Sequence, residues 1–243
     1  MTTDDAGVAV GLGARNLGGA ILDHLLAEGW SGAAVARSEE TLEAVRQRNA
    51  LALSADASDP TELGSALRRA REELGPPTLI VNAVSASRPP AGSPFGGGPL
   101  GQASVDGFRG WTAAVAEQAF VFLSEGMRAL QESGGGTLIQ LTGGSARRPM
   151  PGRGLWSAGA HAVRALTLAA AQELREQGIH VALLIVDATI ESPKTAGYTQ
   201  DQPPEALADQ QLIAEAVSYL AGQGIRGLTH ELVITPAGDN WTP

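Results

Sequence analysis

The chain of 243 residues contains no cysteine, which excludes a disulfide scaffold, a thiolate nucleophile and cysteine metal ligation together. Lysine occurs once, at Lys194, and every other basic side chain is arginine. Tyrosine occurs twice, at Tyr198 and Tyr219, so no tyrosine stands one helical turn before a lysine. A mechanism that relies on that pair has no residues to draw on. Positive charge is scarce: 17 basic against 26 acidic side chains leave a formal charge of -9, which opposes attraction to nucleic acid or an anionic membrane. The start, MTTDDAGVAV, is acidic without a basic flank, and no apolar run approaches the ~20 residues of a membrane span. A cytoplasmic protein with a small-molecule partner is expected, with no nucleic acid and no membrane. Without secretion, the Asn240-Trp241-Thr242 triplet is a chance match to a glycosylation acceptor. What is present points to a globular chain: 43% hydrophobic residues and 18% charged ones fit neither a disordered nor a fibrous class, despite 31 glycines.

Apolar runs and helical periodicities alternate along the chain. Val8 to Val10 breaks into a glycine cluster, after which Leu17, Ile21, Leu22, Leu25 and Leu26 recur at helical spacing up to Gly29. Short runs at Ala33–Ala36, Leu51–Leu53 and Thr78–Val81 read as strands, and Glu39–Gln47 and Pro60–Leu74 as helices between them. Val105–Glu132 reads as a long amphipathic helix closed by Gly134–Gly136, followed by a strand at Thr137–Leu141. A helix at Leu155–Gln177, a strand at Ile179–Val186, a helix at Asp209–Leu220 and a strand at Glu231–Thr235 complete the series. This alternation predicts an α/β fold: one doubly wound, Rossmann-type domain over 1–243, its parallel seven-stranded sheet covered by helices on both faces. Gly and Pro dominate a loop at 86–104, where neither a helix nor a central strand is compatible.

Gly11-Leu12-Gly13-Ala14-Arg15-Asn16-Leu17-Gly18 lies between the first strand and the first helix. There a phosphate can meet free backbone N–H groups and the positive end of the helix dipole. The spacing of Gly11, Gly13 and Gly18 is two residues longer than the common dinucleotide fingerprint. A glycine-rich turn without a ligand is the plainer alternative.

At this point the chain resembles the short-chain dehydrogenase/reductase family over nearly its whole length. The family's Thr-Gly-x-x-x-Gly-x-Gly turn aligns with Gly11 to Gly18, where Leu12 and Asn16 replace its first two glycines and Gly18 keeps the third. Asp56-Ala57 follows the third strand where the family contacts adenine. Asn82-Ala83 resembles part of its Asn-Asn-Ala-Gly, and Trp156 to Thr167 matches the helix carrying its Tyr-x-x-x-Lys. The resemblance implies that Gly11, Gly13, Arg15, Asn16, Leu17, Gly18, Asp56, Ala57, Asn82 and Ala83 face a dinucleotide. It also implies a homodimer or homotetramer, with Ala158, Ala162, Ala165 and Ala169 available for close helix contact.

The same alignment places Trp156 at the tyrosine, Ala160 at the lysine, Gly143 at the serine and Val115 or a neighbour at the asparagine. The family's catalytic identities are thus missing, and an atypical or degenerate active site is expected. The candidate substitutes are Thr142 at a strand end, Arg153 ahead of Trp156, His161, and Tyr198 or Lys194 in a substrate-loop region at 188–207, each with a plainer structural alternative. Asp187-Ala188 stands where the family has Pro-Gly. The histidines show no metal-ligand spacing, so no metal is expected.

An acidic residue closing the second strand binds the ribose hydroxyl of NAD and repels the phosphate of NADP. Here that position is Ala36, followed by Arg37 and Ser38, with Arg15 projecting from the turn nearby. Two guanidiniums and a hydroxyl suit a 2′-phosphate, so NADP(H) is expected over NAD(H). Helical pairing of Arg37 with Glu39 or Glu40 is the alternative. The expected function is that of an NADP(H)-binding oxidoreductase of a small carbonyl or alcohol. The alternatives are a catalytically inactive nucleotide-binding sensor or subunit, and a non-redox enzyme of the same fold.

Overall fold

Strands covered by helices on both faces bury every side chain, so they read as unbroken apolar runs. The computed structural model of the protein describes residues 6–84 and 94–238. The acidic start at 1–5, the segment 85–93 of the Gly/Pro-rich loop and the end at 239–243, with the Asn240–Thr242 triplet, lie outside the described residues. The order is β1 (Val8–Leu12), α1 (Leu17–Ala27), β2 (Ser31–Ala36), α2 (Glu39–Arg46), β3 (Leu51–Ser54), α3 (Pro60–Leu74) and β4 (Pro77–Asn82). Next come α4 (Val105–Thr112), α5 (Gln118–Ser133), β5 (Gly136–Gly143), α6 (Gly154–Leu174) and β6 (Ile179–Val186). The two-residue strand β7 (Thr189–Ile190), the short helix α7 (Ala196–Thr199), β8 (Leu207–Ala208), α8 (Gln210–Ala221) and β9 (Glu231–Ile234) complete it.

Seven strands form one parallel sheet in the order β3-β2-β1-β4-β5-β6-β9, and β7 pairs with β8 apart from it. The order reverses between β1 and β4, opening a crevice above their C-terminal ends. Along β1, Val8, Val10 and Leu12 turn to the face covered by Leu63 and Leu67 of α3, Phe122 of α5 and Leu174 of α6. Ala9 turns to the opposite face, with Ile21 and Leu25 of α1 and Ile213 and Val217 of α8. Burying each large side chain contributes on the order of 1.5–3 kcal/mol, so the two clusters fix which face each helix occupies.

Several boundaries shift by a few residues from the sequence reading, and β7, α7 and β8 are additional; three differences bear on the site. The helix expected over Val105–Glu132 is continuous but changes to π geometry at Ala113–Glu117, inserting one residue into a turn. Strand β5 extends to Gly143, so Thr142 and Gly143 belong to the strand itself. The Gly/Pro-rich segment contains single 3-10 turns at Phe95–Gly97 and Leu100–Gln102.

A polar network crosses the interior where the crevice begins. Asn82 is fully buried and its Nδ2 donates to Gln118 Oε1 at 3.0 Å and to Gln140 Oε1 at 2.9 Å. Its Oδ1 accepts from the Val84 amide at 3.1 Å, tying the end of β4 to α5 and β5. Removing one partner of a buried pair leaves the others unsatisfied, at a cost of about 1–3 kcal/mol. Asn82→Ala is expected to lower stability by about that much, read from the midpoint of urea unfolding.

Below the opposite end of the sheet, His180 of β6 and His230 meet edge to face with ring centres 5.6 Å apart. His180 Nε2 lies 2.9 Å from the Thr229 carbonyl oxygen. Burial holds the His180 pKa below its ordinary value; the Thr229 bond opposes this and the charge of His230 reinforces it. Above pH ~6.5 the ring is neutral in both the folded and unfolded chain and contributes no pH dependence. As pH falls through that value the unfolded chain takes up a proton that the folded chain refuses, so stability drops until the folded ring titrates as well. The urea midpoint should therefore decrease from pH 7.5 to 5.5, with a shallower decrease in His180→Gln; an unchanged slope would contradict this assignment.

Candidate functional site

The turn after β1 lies between two strand ends. The Gly13 amide donates to the Val35 carbonyl at 2.9 Å, and the Ala83 amide donates to the Leu12 carbonyl at 3.0 Å. Gly13 has φ +83° and Asn16 has φ +49°. With ψ -120° position 16 lies outside the left-handed helical region that asparagine tolerates, in backbone space that favours glycine, whereas Leu12 lies inside β1 and needs no glycine. A Cβ on Gly18 would overlap the Gly13 carbonyl oxygen, so α1 packs directly onto the turn.

Helix α1 starts at Leu17 without a side-chain cap and with no acidic residue in its first turn. By contrast, Ser38 caps α2, Asp59 caps α3, Ser104 caps α4 and Asp209 caps α8. The first-turn N–H groups of an α-helix have no intrahelical partners. At α1 they stand beside the β1–β4 crevice, an arrangement that suits a phosphate group. Gly11 is in β1, and Arg15 is exposed on the turn. The residues present thus fit a pyrophosphate at this point.

At the ends of β2 and β3, Arg37 Nη1 lies 3.3 Å from Asp56 Oδ2. Its partner is this aspartate across the strand ends, whereas Glu39 pairs with Arg46 at 2.7 Å. The Ser58 amide and hydroxyl, followed by Arg37, hold the Asp56 carboxyl below the usual carboxylate range. Ala57 is buried beside it. The Ser38 hydroxyl, expected toward a phosphate, is engaged as the cap of α2 and lies 2.7 Å from Thr41 Oγ1.

The second region is a cleft of ≈ 390 Å³ over the ends of β5 and β6, lined by Gly143, Ser145, Arg148, Arg153, Trp156 and Asp187 among others. Trp156 belongs to an aromatic cluster with Phe95 and Trp111, with ring centres 5.3 to 5.7 Å apart. Arg153 is not a free loop arginine: its guanidinium lies 5.3 Å from the centre of the Phe95 ring. Ala160 is buried at 1% exposure. A Cβ on Gly159 would lie 2.8 Å from Val115 Cβ, so α6 rests directly on the π turn. Asp187 holds Arg148 through two bonds of 2.9 and 3.0 Å, and a Cβ on Gly144 would overlap this carboxylate.

The other candidates do not reach the cleft. Thr142 precedes the lining residue Gly143 and pairs with Ile185 in the sheet. Tyr198 is 64% exposed, and neither it nor the exposed Lys194 lines the cleft. His161 is exposed, with Nδ1 2.9 Å from the Ser157 carbonyl oxygen. Sequence reasoning missed Phe95, Ser145 and Arg148. The Gly/Pro-rich surroundings hid Phe95, and only the pairing of Arg148 with an aspartate 39 residues away marks it as part of the site. Among the described residues no group of three His, Asp or Glu side chains is placed to hold a metal, and no helix is long and apolar enough to cross a membrane.

Against this geometry, comparison with known proteins gives a consistent result. No curated protein sequence matches the chain. Among solved structures, an alcohol dehydrogenase from the archaeon Thermococcus sibiricus, complexed with 5-hydroxy-NADP, is similar with a TM-score of 0.79 and 22% identity, over 98% of this chain and 99% of that one. A variant of the actinorhodin polyketide ketoreductase with NADPH gives a TM-score of 0.79 and 23% identity, over 99% of both chains. A short-chain dehydrogenase from Rhodopseudomonas palustris gives 0.75 and 23%, over 95% of this chain and 98% of that one. At these identities the likeness establishes a shared fold. The family profile described as short chain dehydrogenase matches residues 8–202, most of the chain. With the crossover turn and sheet order described above, this match places the protein in the short chain dehydrogenase family.

Proposed function

We propose that the chain binds NADP(H) across the β1–β4 crevice and is an oxidoreductase of a small carbonyl or alcohol whose active site works without the family's tyrosine and lysine. The observation that carries this reading is the uncapped first turn of α1 against the glycine turn. In this reading Gly11, Gly13, Asn16, Leu17 and Gly18 receive the pyrophosphate, Asp56 and Ala57 border the adenine, and Asn82 and Ala83 form the crevice wall. Arg37, supported by Arg15, takes the 2′-phosphate, because Ala36 puts no carboxylate at the end of β2 to repel it. Solved structures of the same fold are described as complexes with NADP and NADPH, in keeping with this assignment.

When bound, the reduced cofactor supplies a hydride. The chain's own part is altered at the positions equivalent to the family's catalytic residues. Trp156 has no acidic hydroxyl, Ala160 has no charge, and Gly143 has no side chain. Loss of a positioned general acid costs about 10² to 10⁴ in rate. Arg153, which lines the cleft, holds its own proton throughout and cannot replace that acid. Turnover is therefore slow and draws its proton from water. The packing of Trp156 into the aromatic cluster also supports a second reading, cofactor binding without turnover.

One experiment separates these readings. NADPH is titrated by its fluorescence, and NADPH absorbance is then followed with a panel of aldehydes and ketones. Binding with slow, carbonyl-dependent oxidation supports the first reading, binding without oxidation supports the second, and failure to bind NADPH or NADH removes both. Gly18→Ala should cost about 1–3 kcal/mol of stability through overpacking and weaken NADPH binding, as measured by urea unfolding and the same titration. Ala36→Asp combined with Arg37→Ala should weaken NADPH by about tenfold or more relative to NADH, because a charge-assisted bond to the phosphate is lost and a repulsion added.

A further inference from the structure

The cleft beside Trp156 contains more than the family resemblance accounts for. At ≈ 390 Å³ it is near the lower end of the sizes that small ligands fill. Its charged lining is Arg148, Arg153 and Asp187. Arg148 is engaged by Asp187. Arg153 meets no carboxylate among the described residues and lies over the face of Phe95. In a chain of formal charge -9, the cleft thus presents an uncompensated guanidinium.

The wall next to this charge is flat and aromatic. Phe95 and Trp156 are 5.3 Å apart with their planes inclined by 39°, and Trp111 packs edge-on behind both. Phe95 remains 50% exposed, an unusual position for a large apolar ring in a cleft whose other aromatic rings are covered. Trp111 Nε1 and Ser157 Oγ, both buried outside the cleft lining, have no hydrogen-bond partner among the described residues and are not used by a ligand in the cleft. A cationic ligand would be repelled by Arg153. A neutral aliphatic ligand would leave both the guanidinium and the aromatic face unused. A flat anion uses both, since guanidinium binds carboxylate through a planar fork.

We propose that this cleft takes a small carboxylic acid whose aryl or conjugated body also carries the reacting carbonyl or hydroxyl, the body against Phe95 and Trp156 and the carboxylate on Arg153. The proposal rests on the reading of the cleft as the substrate side of the cofactor site, and names the substrate class there.

The test is calorimetric titration of the full chain at pH 7.5 with cinnamate and benzoate against cinnamamide and benzamide, with and without saturating NADPH. The amides keep the shape and lose the charge. Cinnamate is expected to bind at least about tenfold more tightly than cinnamamide, the value of one charge-assisted bond. Arg153→Gln should bring the two within about twofold, with the acid losing more affinity than the amide, and Trp156→Ala should weaken both. The proposal is overturned if acid and amide bind alike to the unmodified chain, if the acid preference survives Arg153→Gln, or if neither acid binds while NADPH does. Loss of NADPH binding alone falls on the cofactor reading instead, and the acid–amide comparison still decides the cleft.

Discussion

The site depends on how closely the first helix approaches the turn before it. Because residue 18 has no side chain, α1 rests on the carbonyl of Gly13, and its first peptide N–H groups stand at the crevice where the sheet order reverses. A side chain at 18 would displace the helix start from the Gly13 carbonyl and from Ala83, which follows β4. Asn16 makes no side-chain cap at this helix, whereas serine or aspartate caps α2, α3, α4 and α8; α6 likewise starts without a side-chain cap. What distinguishes the start of α1 is its place on the glycine turn at the crevice, where an open positive helix end favours an anionic ligand.

The two halves of the crevice have different character. On the β1–β3 side the features are backbone and charge: a glycine turn, Arg37 with Asp56, and the Asn82 network that fixes where β4 ends. On the β5–β6 side they are aromatic rings, buried alanine and a paired aspartate. A fold hosts many chemistries, and the site decides which one operates. Here one half offers backbone N–H groups and charge, and the other offers aromatic faces around Trp156.

Much of this was legible in the sequence because it depends on local rules. A largely apolar run such as Ile179–Val186, bounded by Gly178 and interrupted only by His180, fits a strand covered on both faces, and the alternation of strands and helices points to a parallel sheet. The glycine turn was legible for the same reason, since its conformational requirement is written in one short segment. What stayed hidden depends on distant partners. The π geometry at Ala113–Glu117 leaves no trace in composition and is explained by the contact of Val115 with Gly159. Arg148 finds Asp187, His180 finds His230 and Phe95 finds Trp156 only when separate crossovers bring them together. Ser38 shows the opposite case: a hydroxyl with two local uses, of which the structure selects the helix cap.

The contact between Gly144 and Asp187 links two strand ends. Any side chain at 144 would occupy the space of the carboxylate, so the two positions cannot vary independently. A relative with a larger residue at the first must lack the acid at the second or hold its strands farther apart. The two bonds between Asp187 and Arg148 would then be lost. Through one missing methyl group, the floor of the pocket sets the electrical balance of its wall.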